Sequence, residues 1–258
     1  MKEIMLSTAA LFIFCATTFI FFVIQYYNEI IKKYKPNKTI FYIYLFFVVV
    51  TQLGFNIGIT RIKCNCTQLI ISIIGTVFPW LFVFLATVFI LIKFPGWKMP
   101  FSNTFGYFIV YLLGIKSLLI DKILKPVTTH VESSSSNSDT SNIENETIRG
   151  ADYYLAIQHI YDNPSLFINE ITPENFEQFW SKFSNALFKS GAEAHKHELK
   201  TFIIIKDCIA EFIWYILSGV LSMSISYAYL NNATCTLPTS ESIINDSNNF
   251  IDDVKDNI

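Results

Sequence analysis

The sequence predicts an all-α membrane protein with four or five transmembrane helices and a small extramembrane helical module. Five stretches carry no charged residue and are 17 to 29 residues long. A hydrocarbon layer about 30 Å thick needs roughly 20 mostly apolar residues in a helix. Every backbone N–H and C=O group inside that layer must bond within its own segment, so such runs must be helical. The runs are residues 4–28, 39–60, 64–92, 99–115 and 212–240.

The composition agrees with a membrane protein and argues against a nucleic-acid binder. Of the 258 residues, 16% are charged, against about 25% in soluble domains. The net charge of −2 supplies no basic surface for nucleic acid. The first apolar run is longer than a signal-peptide core and no small-residue cleavage site follows it, so we expect a retained first span.

The loop between the first two runs predicts the orientation of the first hairpin. Residues 28–38 carry four lysines against Glu29. The positive-inside rule therefore places this loop in the cytoplasm and the N-terminus on the opposite side. The later loops each carry a similar charge of +2, which leaves their sidedness open. The fourth run is short, and whether it crosses the membrane fully is also open.

The chain divides into five regions by composition. We predict a transmembrane region over residues 1–125, with four of the apolar runs, and a last transmembrane helix over 206–230. Between them lie a flexible Ser/Asn-rich linker, 126–149, and the helical module, 150–205. The linker has no aromatic residue and too few apolar side chains to offset the entropy of ordering. An acidic tail, 231–258, ends the chain.

One amphipathic helix dominates the predicted module. Thr172 as N-cap and Pro173 at the first position mark its start, and Ser190-Gly191 its end near Lys189. Such a helix either covers a small helical core or lies at the membrane interface. Its few basic residues favour the first interpretation. A second helix is expected to begin near Ala192 and to run into the last span. The apolar face comprises Phe176, Phe179, Trp180, Phe183, Leu187 and Phe188.

Small and polar residues inside two spans predict helix packing. The second run contains a G-x-x-x-G pattern, which permits close approach of another helix, and two amides four residues apart on one stripe. Amides at membrane depth either bond neighbouring helices or line a polar permeation path. Three serines at spacings of four in the last span give a similar seam. The predicted packing residues are Gln52, Gly54, Asn56, Gly58, Ser218, Ser222 and Ser226.

Motifs for catalysis are absent from the sequence, and no cofactor or metal site is predicted. His195 and His197 are adjacent to acidic residues, but side chains two apart on a helix point in nearly opposite directions and cannot chelate together. The sequence therefore favours a protein that is not an enzyme.

The cysteines raise a question of topology. A bridge from Cys64 or Cys66 to Cys235 requires both partners on one side of the membrane. An even number of crossings must then separate them, whereas five spans give three. Either no such bridge exists, or the fourth run does not fully cross.

The segment 94–107 that opens the fourth run predicts a rigid turn at the membrane surface. Two prolines and a glycine break helix, and its aromatic residues suit the headgroup layer. Ser102 or Asn103 would cap the helix that follows. The same surface is a candidate docking site. The residues assigned to this interfacial turn or docking surface are Pro95, Gly96, Trp97, Pro100, Phe101, Asn103 and Tyr107.

The segment 94–107, together with segments 76–80 and 210–215, resembles a block of an uncharacterised multi-pass membrane protein of nucleocytoplasmic large DNA viruses, the giant viruses. The resemblance covers roughly residues 50–115 and 205–235. It implies a structural virion protein, in the manner of a transmembrane minor capsid protein. The implied location is the virion internal membrane or a membrane derived from the host endoplasmic reticulum.

The resemblance also implies the partners. They are the lipid bilayer and other virion or capsid proteins, with self-association as a homo-oligomer allowed and no nucleic acid. It implies no activity and no cofactor.

The competing function is a small membrane channel or transporter. The residues that favour it are Gln52, Asn56 and the serine seam.

Overall fold

The computed structural model describes residues 2–30, 38–126, 155 and 157–235, with the side chains of 28–30 left aside. The described residues form helices joined by short connections, and the only β pairing among them is one antiparallel bridge between Leu124 and Phe188. This confirms the all-α prediction. The predicted linker after residue 126 and the acidic tail after residue 235 lie outside the described residues.

Within the described ranges, four helices are long and apolar enough to cross a membrane. The first two are α1, Lys2–Ile30, and α2, Lys38–Cys64. The third consists of α3, Leu69–Pro79, a π turn, Trp80–Phe84, and α4, Leu85–Lys93. The π turn begins directly after Pro79, where the proline removes a backbone donor and interrupts the regular helix.

The fourth apolar run is an irregular, bent segment. A 3₁₀ turn, Pro95–Lys98, leads into α5, Met99–Phe101, a π turn, Ser102–Gly106, and α6, Tyr107–Leu112. Gly114 then has a φ of 101°, a left-handed conformation that glycine adopts without strain. After it follow α7, Ile115–Ser117, and a π turn, Leu118–Ile123. The two halves meet at 84°.

The rest of the chain holds the module and the last span. Residues 157–162 are helical, and α8, Pro164–Asn169, and α9, Phe176–Leu187, follow. A 3₁₀ turn, Ala192–His195, opens α10, Lys196–Asn232. The expected start near Ala192 and the continuous run into the last span are confirmed. Together these 41 residues extend about 60 Å at 1.5 Å per residue, twice the hydrocarbon thickness.

The amphipathic helix of the module is shorter than predicted. It begins at Phe176 rather than Pro173, because Thr172 and Asn175 exchange hydrogen bonds first: the Thr172 N–H donates to Asn175 Oδ1 at 2.8 Å, and the Asn175 N–H to Thr172 Oγ1 at 3.3 Å. It ends at Leu187, before the predicted Ser190-Gly191 stop, because Phe188 turns to extended backbone and pairs with Leu124.

The chain forms two compact units. The first takes the described residues of Met1–Phe21, Asn37–Phe89 and Ile216–Ile258. Its core holds Phe14, Trp80 and Phe84, whose rings meet at centroid distances of 5.0 to 6.4 Å.

The second unit takes the described residues of Phe22–Pro36 and Ile90–Tyr215. Its core joins the apolar face of α9 to side chains from the bent segment, among them Ile115 and Leu119, and to Leu199 of α10. The helical-core interpretation of α9 is therefore the one that the packing supports. The bent segment, which belongs to the predicted transmembrane region 1–125, therefore shares this core with the module.

A disulfide joins the end of α2 to the end of α10. The bridge is Cys64–Cys235, with a Cα–Cα distance of 5.4 Å. Beside it the Lys63 ammonium donates to three carbonyl oxygens at the α10 C-terminus, at 2.6 to 2.9 Å, where a cation is favourable. Leu69–Lys93 and α10 are two helices between the cysteines that are long enough to cross a membrane. The bridge therefore fits the second alternative left by the sequence, in which the fourth run does not fully cross.

Candidate functional site

Asn56 is the centre of a buried polar network in the first unit. Its Nδ2 donates to Thr76 Oγ1 at 2.7 Å and to Ser226 Oγ at 2.8 Å. These bonds join α2 to α3 and to α10. Both N–H groups of the Asn56 amide therefore donate to hydroxyl groups of neighbouring helices. These bonds offset the cost of placing the amide among apolar side chains.

Further polar contacts flank Asn56 along α2. Gln52 Nε2 donates to the Ala10 carbonyl of α1 at 3.2 Å, and the Thr60 and Ser72 hydroxyls lie 3.0 Å apart. A cavity of 190 Å³ adjoins Gln52, Asn56 and Ser226. The predicted stripe of α2 therefore contacts helices α1, α3 and α10, and it also lines a small cavity.

The serine seam of α10 is buried at all three predicted positions, Ser218, Ser222 and Ser226. Ser222 Oγ donates to the Ser218 carbonyl at 2.9 Å within the helix, and Ser226 accepts the bond from Asn56. Gly219 lies between Ser218 and Ser222, and a Cβ built on it would overlap the ring of Phe14. Small residues here allow a large aromatic side chain of α1 to lie against α10.

The two glycines of the G-x-x-x-G pattern differ. A Cβ on Gly58 would lie 2.8 Å from Leu6 Cδ2, whereas no atom of the described residues lies within 4 Å of a Cβ on Gly54. The prediction of a close contact at Gly54 is wrong within the described part of the chain. The reason is rotation: the buried stripe of α2 follows Gln52 and Asn56, and Gly54 points to the exposed side.

The segment 94–107 begins with the predicted turn, but it contains no capping side chain. Pro95 starts the 3₁₀ turn, and Gly96 is exposed within it. Pro100 occupies an early position of α5, where its missing N–H costs little. Ser102 and Asn103 have helical backbone and cap nothing, so the predicted cap is wrong. The helix already begins before them, because the prolines lie in its first turns.

Aromatic rings of this segment pack against α10. Trp97 is 57% exposed, yet its ring lies 6.3 Å from that of Trp214, and Phe101 lies 6.0 Å from the same ring. Tyr107 packs instead against the core of the second unit. Of the three aromatics, Trp97 offers the largest free surface for docking.

A second cavity, of 280 Å³, lies beside the turn. Its wall includes Pro95, Gly96 and Asn103 from the predicted set, and also Lys98, Lys206 and Asp207. The Lys98 ammonium and the Asp207 carboxylate form an ion pair at 2.6 Å with less than a fifth of either side chain exposed. Residues 169–174 close the cavity from the module side.

Sequence reasoning missed the residue that positions this cavity. A Cβ on Gly106 would overlap the carbonyl oxygen of Lys206 and lie 3.2 Å from its carbonyl carbon. Only glycine therefore permits the π turn to touch the α10 backbone. This approach buries Lys206 to 2% exposure. Gly106 lies within the segment 94–107, but its spacing in the sequence does not identify the part of α10 that it contacts.

Ion pairs join Glu177 of α9 to the first turns of α10. The Glu177 carboxylate lies 2.7 Å from the Lys200 ammonium and 3.1 Å from that of Lys196. Hydrogen bonds from these two lysines, Lys200 first, lower the pKa of Glu177 below its ordinary value. His195 lies 3.3 Å from Glu198, and the described residues contain no group of three His, Cys, Asp or Glu side chains suited to a metal ion.

The fold and these contacts define a helical, multi-pass membrane protein. Comparison with known proteins adds no family to that class: no family model, curated protein or solved structure matches the chain.

Proposed function

We propose that the protein is a structural membrane anchor that presents its helical module to partners on one side of a membrane. The observation that carries this proposal is the shared core of the second unit. Val110, Ile115 and Leu119 of the bent segment pack in the same cluster as Ile168 and Trp180 of the module. Because the module shares a core with the bent segment, its orientation relative to that segment is fixed, as a scaffold requires.

Two signals support one orientation. The lysine-rich loop 28–38 favours the cytoplasm, and α2 then carries Cys64 to the other side. Disulfides persist in oxidising compartments and are rare in the cytosol, so the Cys64–Cys235 bridge favours the same arrangement. If the bent segment returns to the side from which it enters, the module lies on the cytoplasmic side, the same side as loop 28–38.

The resemblance to proteins of large DNA viruses supplies the partner in this proposal. The module would contact capsid proteins, and the spans would lie in the virion internal membrane or in its precursor from the endoplasmic reticulum. The proposal assigns no catalysis and no cofactor. Trp97, exposed at the turn, is the residue of the segment best suited to act as an anchor in such a contact.

Quantitative mass spectrometry of purified virions tests the proposal. A structural component would be present at a copy number proportional to that of the capsid subunits, and would remain with the membrane fraction after the capsid is removed. A protein found in infected cells but not in virions contradicts the virion assignment.

A small channel is the second candidate, and the 190 Å³ cavity beside Gln52 and Asn56 is the observation that favours it. The hydrogen bonds of Asn56 to two other helices favour packing instead. Ion flux through proteoliposomes decides between them. Flux that the double change Gln52→Leu, Asn56→Leu abolishes, with the protein still folded, supports the channel. No flux above that of empty liposomes supports the anchor.

A further inference from the structure

Lys206 is a buried lysine that forms no ion pair at contact distance. Its side chain is 2% exposed, and in the described part of the chain no carboxylate oxygen lies within 4 Å of its ammonium nitrogen. Lysine is almost never fully buried unless it is paired. Removing an ammonium from water is costly, and an opposite charge is the usual compensation.

The hydrogen bonds of Lys206 compensate only in part. Nζ donates to the Ile168 carbonyl at 3.0 Å and to Asn103 Oδ1 at a long 3.5 Å. An ammonium group has three N–H donors. In Lys206 one of them makes a normal hydrogen bond, one makes a long hydrogen bond, and one makes none among the described residues. Asp207, the next residue, is held by Lys98 at 2.6 Å. Asp207 and the exposed Glu170 attract the Lys206 ammonium from beyond ion-pair distance. The charged groups of the cavity wall that are not exposed to solvent are Lys98, Lys206 and Asp207.

The cavity beside Lys206 has room for a small group, and its mostly apolar wall offers one further unpaired polar atom. Its volume is 280 Å³, near the lower end of the range of about 300 to 1,000 Å³ for small-molecule sites. Asn169 also lines it, and the side-chain oxygen of Asn169 is buried without a hydrogen-bond partner among the described residues. Glu174, the other acidic residue of the wall, is exposed to solvent, where water screens its charge.

The position of Lys206 along α10 places the cavity at the membrane surface. The charge-free run of α10 begins at Phe212, six residues or about 9 Å further along the helix. The headgroup layers add roughly 5 to 8 Å on each side of the hydrocarbon core. Lys206 therefore lies at or just beyond the depth of lipid phosphates, beside the interfacial turn.

We propose that this cavity is a binding site for a phosphate group whose charge pairs with Lys206. The phosphate belongs to a lipid headgroup or to a soluble phosphate compound, and the two share this chemistry. A hydroxyl or amine next to the phosphate would donate to the Asn169 oxygen. The ligand would fix the turn, α10 and residues 169–174 of the second unit to one another. This site is independent of the proposed viral role.

Native mass spectrometry of the full chain in non-ionic detergent tests the site. The probes are inorganic phosphate, short-chain phosphatidic acid and diacylglycerol of the same chain length. We expect saturable binding of at least one phosphate probe to the wild-type protein. Binding of inorganic phosphate identifies a soluble source as sufficient. Binding of phosphatidic acid alone identifies the lipid source, and diacylglycerol, which lacks the phosphate, measures the contribution of the acyl chains.

Matched variants locate the binding. Lys206→Met keeps an apolar stem and removes the charge, and it should weaken binding about ten-fold or more, the loss expected for one charge-assisted hydrogen bond. Lys182→Met changes an exposed lysine of α9 and should bind as the wild type does. If Lys206→Met does not fold, Asn169→Ala, at a half-buried position, provides a milder test with a smaller loss of affinity.

Three results would overturn the proposal. They are no saturable binding of any probe to the wild-type protein, undiminished binding to Lys206→Met, and an equal loss with Lys182→Met. The first of these needs no variant, so a folding defect cannot obscure it. The last would show a general attraction of anions to surface lysines instead of a site.

Discussion

Replacing Gly219 by alanine tests how closely α10 packs against α1. The added Cβ would overlap the ring of Phe14 and lie 2.8 Å from one of its Cε atoms. That ring cannot turn away freely, because Trp80 and Phe84 pack edge-on against it at 5.5 and 6.4 Å and the side chain is fully buried. The substitution therefore forces the helices apart or the aromatic cluster to rearrange.

The matched control is Gly54→Ala. A Cβ at Gly54 meets no described atom within 4 Å, so this change adds the same methyl group to a transmembrane helix without a clash. Both substitutions gain helix propensity by up to about 1 kcal/mol. Overpacking a core costs about 1 to 3 kcal/mol, and that cost falls on Gly219→Ala alone. The difference between the two variants isolates the contact.

The difference in stability is measured by thermal unfolding in detergent. Unfolding is monitored by the reaction of the cysteines outside the disulfide with a fluorescent maleimide. At about 2 to 4 °C per kcal/mol for a chain of this size, the midpoint of Gly219→Ala should lie roughly 2 to 12 °C below that of Gly54→Ala. Equal midpoints, or a higher midpoint for Gly219→Ala, would refute the close packing of α1 and α10 at this position.

The remaining predictions concern a hydrogen bond, a disulfide and an ion pair. Asn56→Leu removes two interhelical hydrogen bonds, each worth about 0.6 kcal/mol on average in a membrane, and should lower stability by about 1 kcal/mol; an unchanged unfolding midpoint contradicts the network. Cys235→Ser should abolish the shift in electrophoretic mobility that reduction causes in the wild type, whereas Cys66→Ser should keep it; the stability lost is at most about 5 kcal/mol in the chain-entropy model. Glu177 has a lowered pKa, so its stabilising effect is present above the ordinary glutamate value of 4.5 and is lost as the pH falls through the lowered pKa. Glu177→Gln should remove that part of the acid destabilisation, and identical pH profiles of the two proteins would contradict the ion pair.

The transmembrane helices were predictable because their signal is local. A long run without charge must satisfy its backbone within itself, so its length and composition are sufficient to identify it. The apolar face of α9 was equally visible, since Phe176 and Trp180 recur at helical spacing. Only its ends were misplaced, because the hydrogen-bond exchange between Thr172 and Asn175 depends on side-chain geometry.

The second cavity was not predictable because it depends on contacts between distant segments. In the sequence, Lys206 and Asp207 are ordinary charges at the entry of a span. The burial of Lys206 follows from the approach of Gly106 to α10, which no periodicity encodes. The disulfide likewise joins cysteines 171 residues apart, and the sequence left open whether such a bridge forms.

The side of the membrane on which the module lies is the central claim, and protease protection in sealed microsomes measures it directly. One epitope tag is inserted after residue 140 and another is added at the C-terminus, beyond Cys235. The four-crossing topology predicts that protease removes the first tag and leaves the second protected until detergent is added. A protected internal tag with a digested C-terminal tag would contradict the proposed orientation, because it requires either an inverted chain or a bent segment that crosses the membrane. In the second case the Cys64–Cys235 bridge would be contradicted as well.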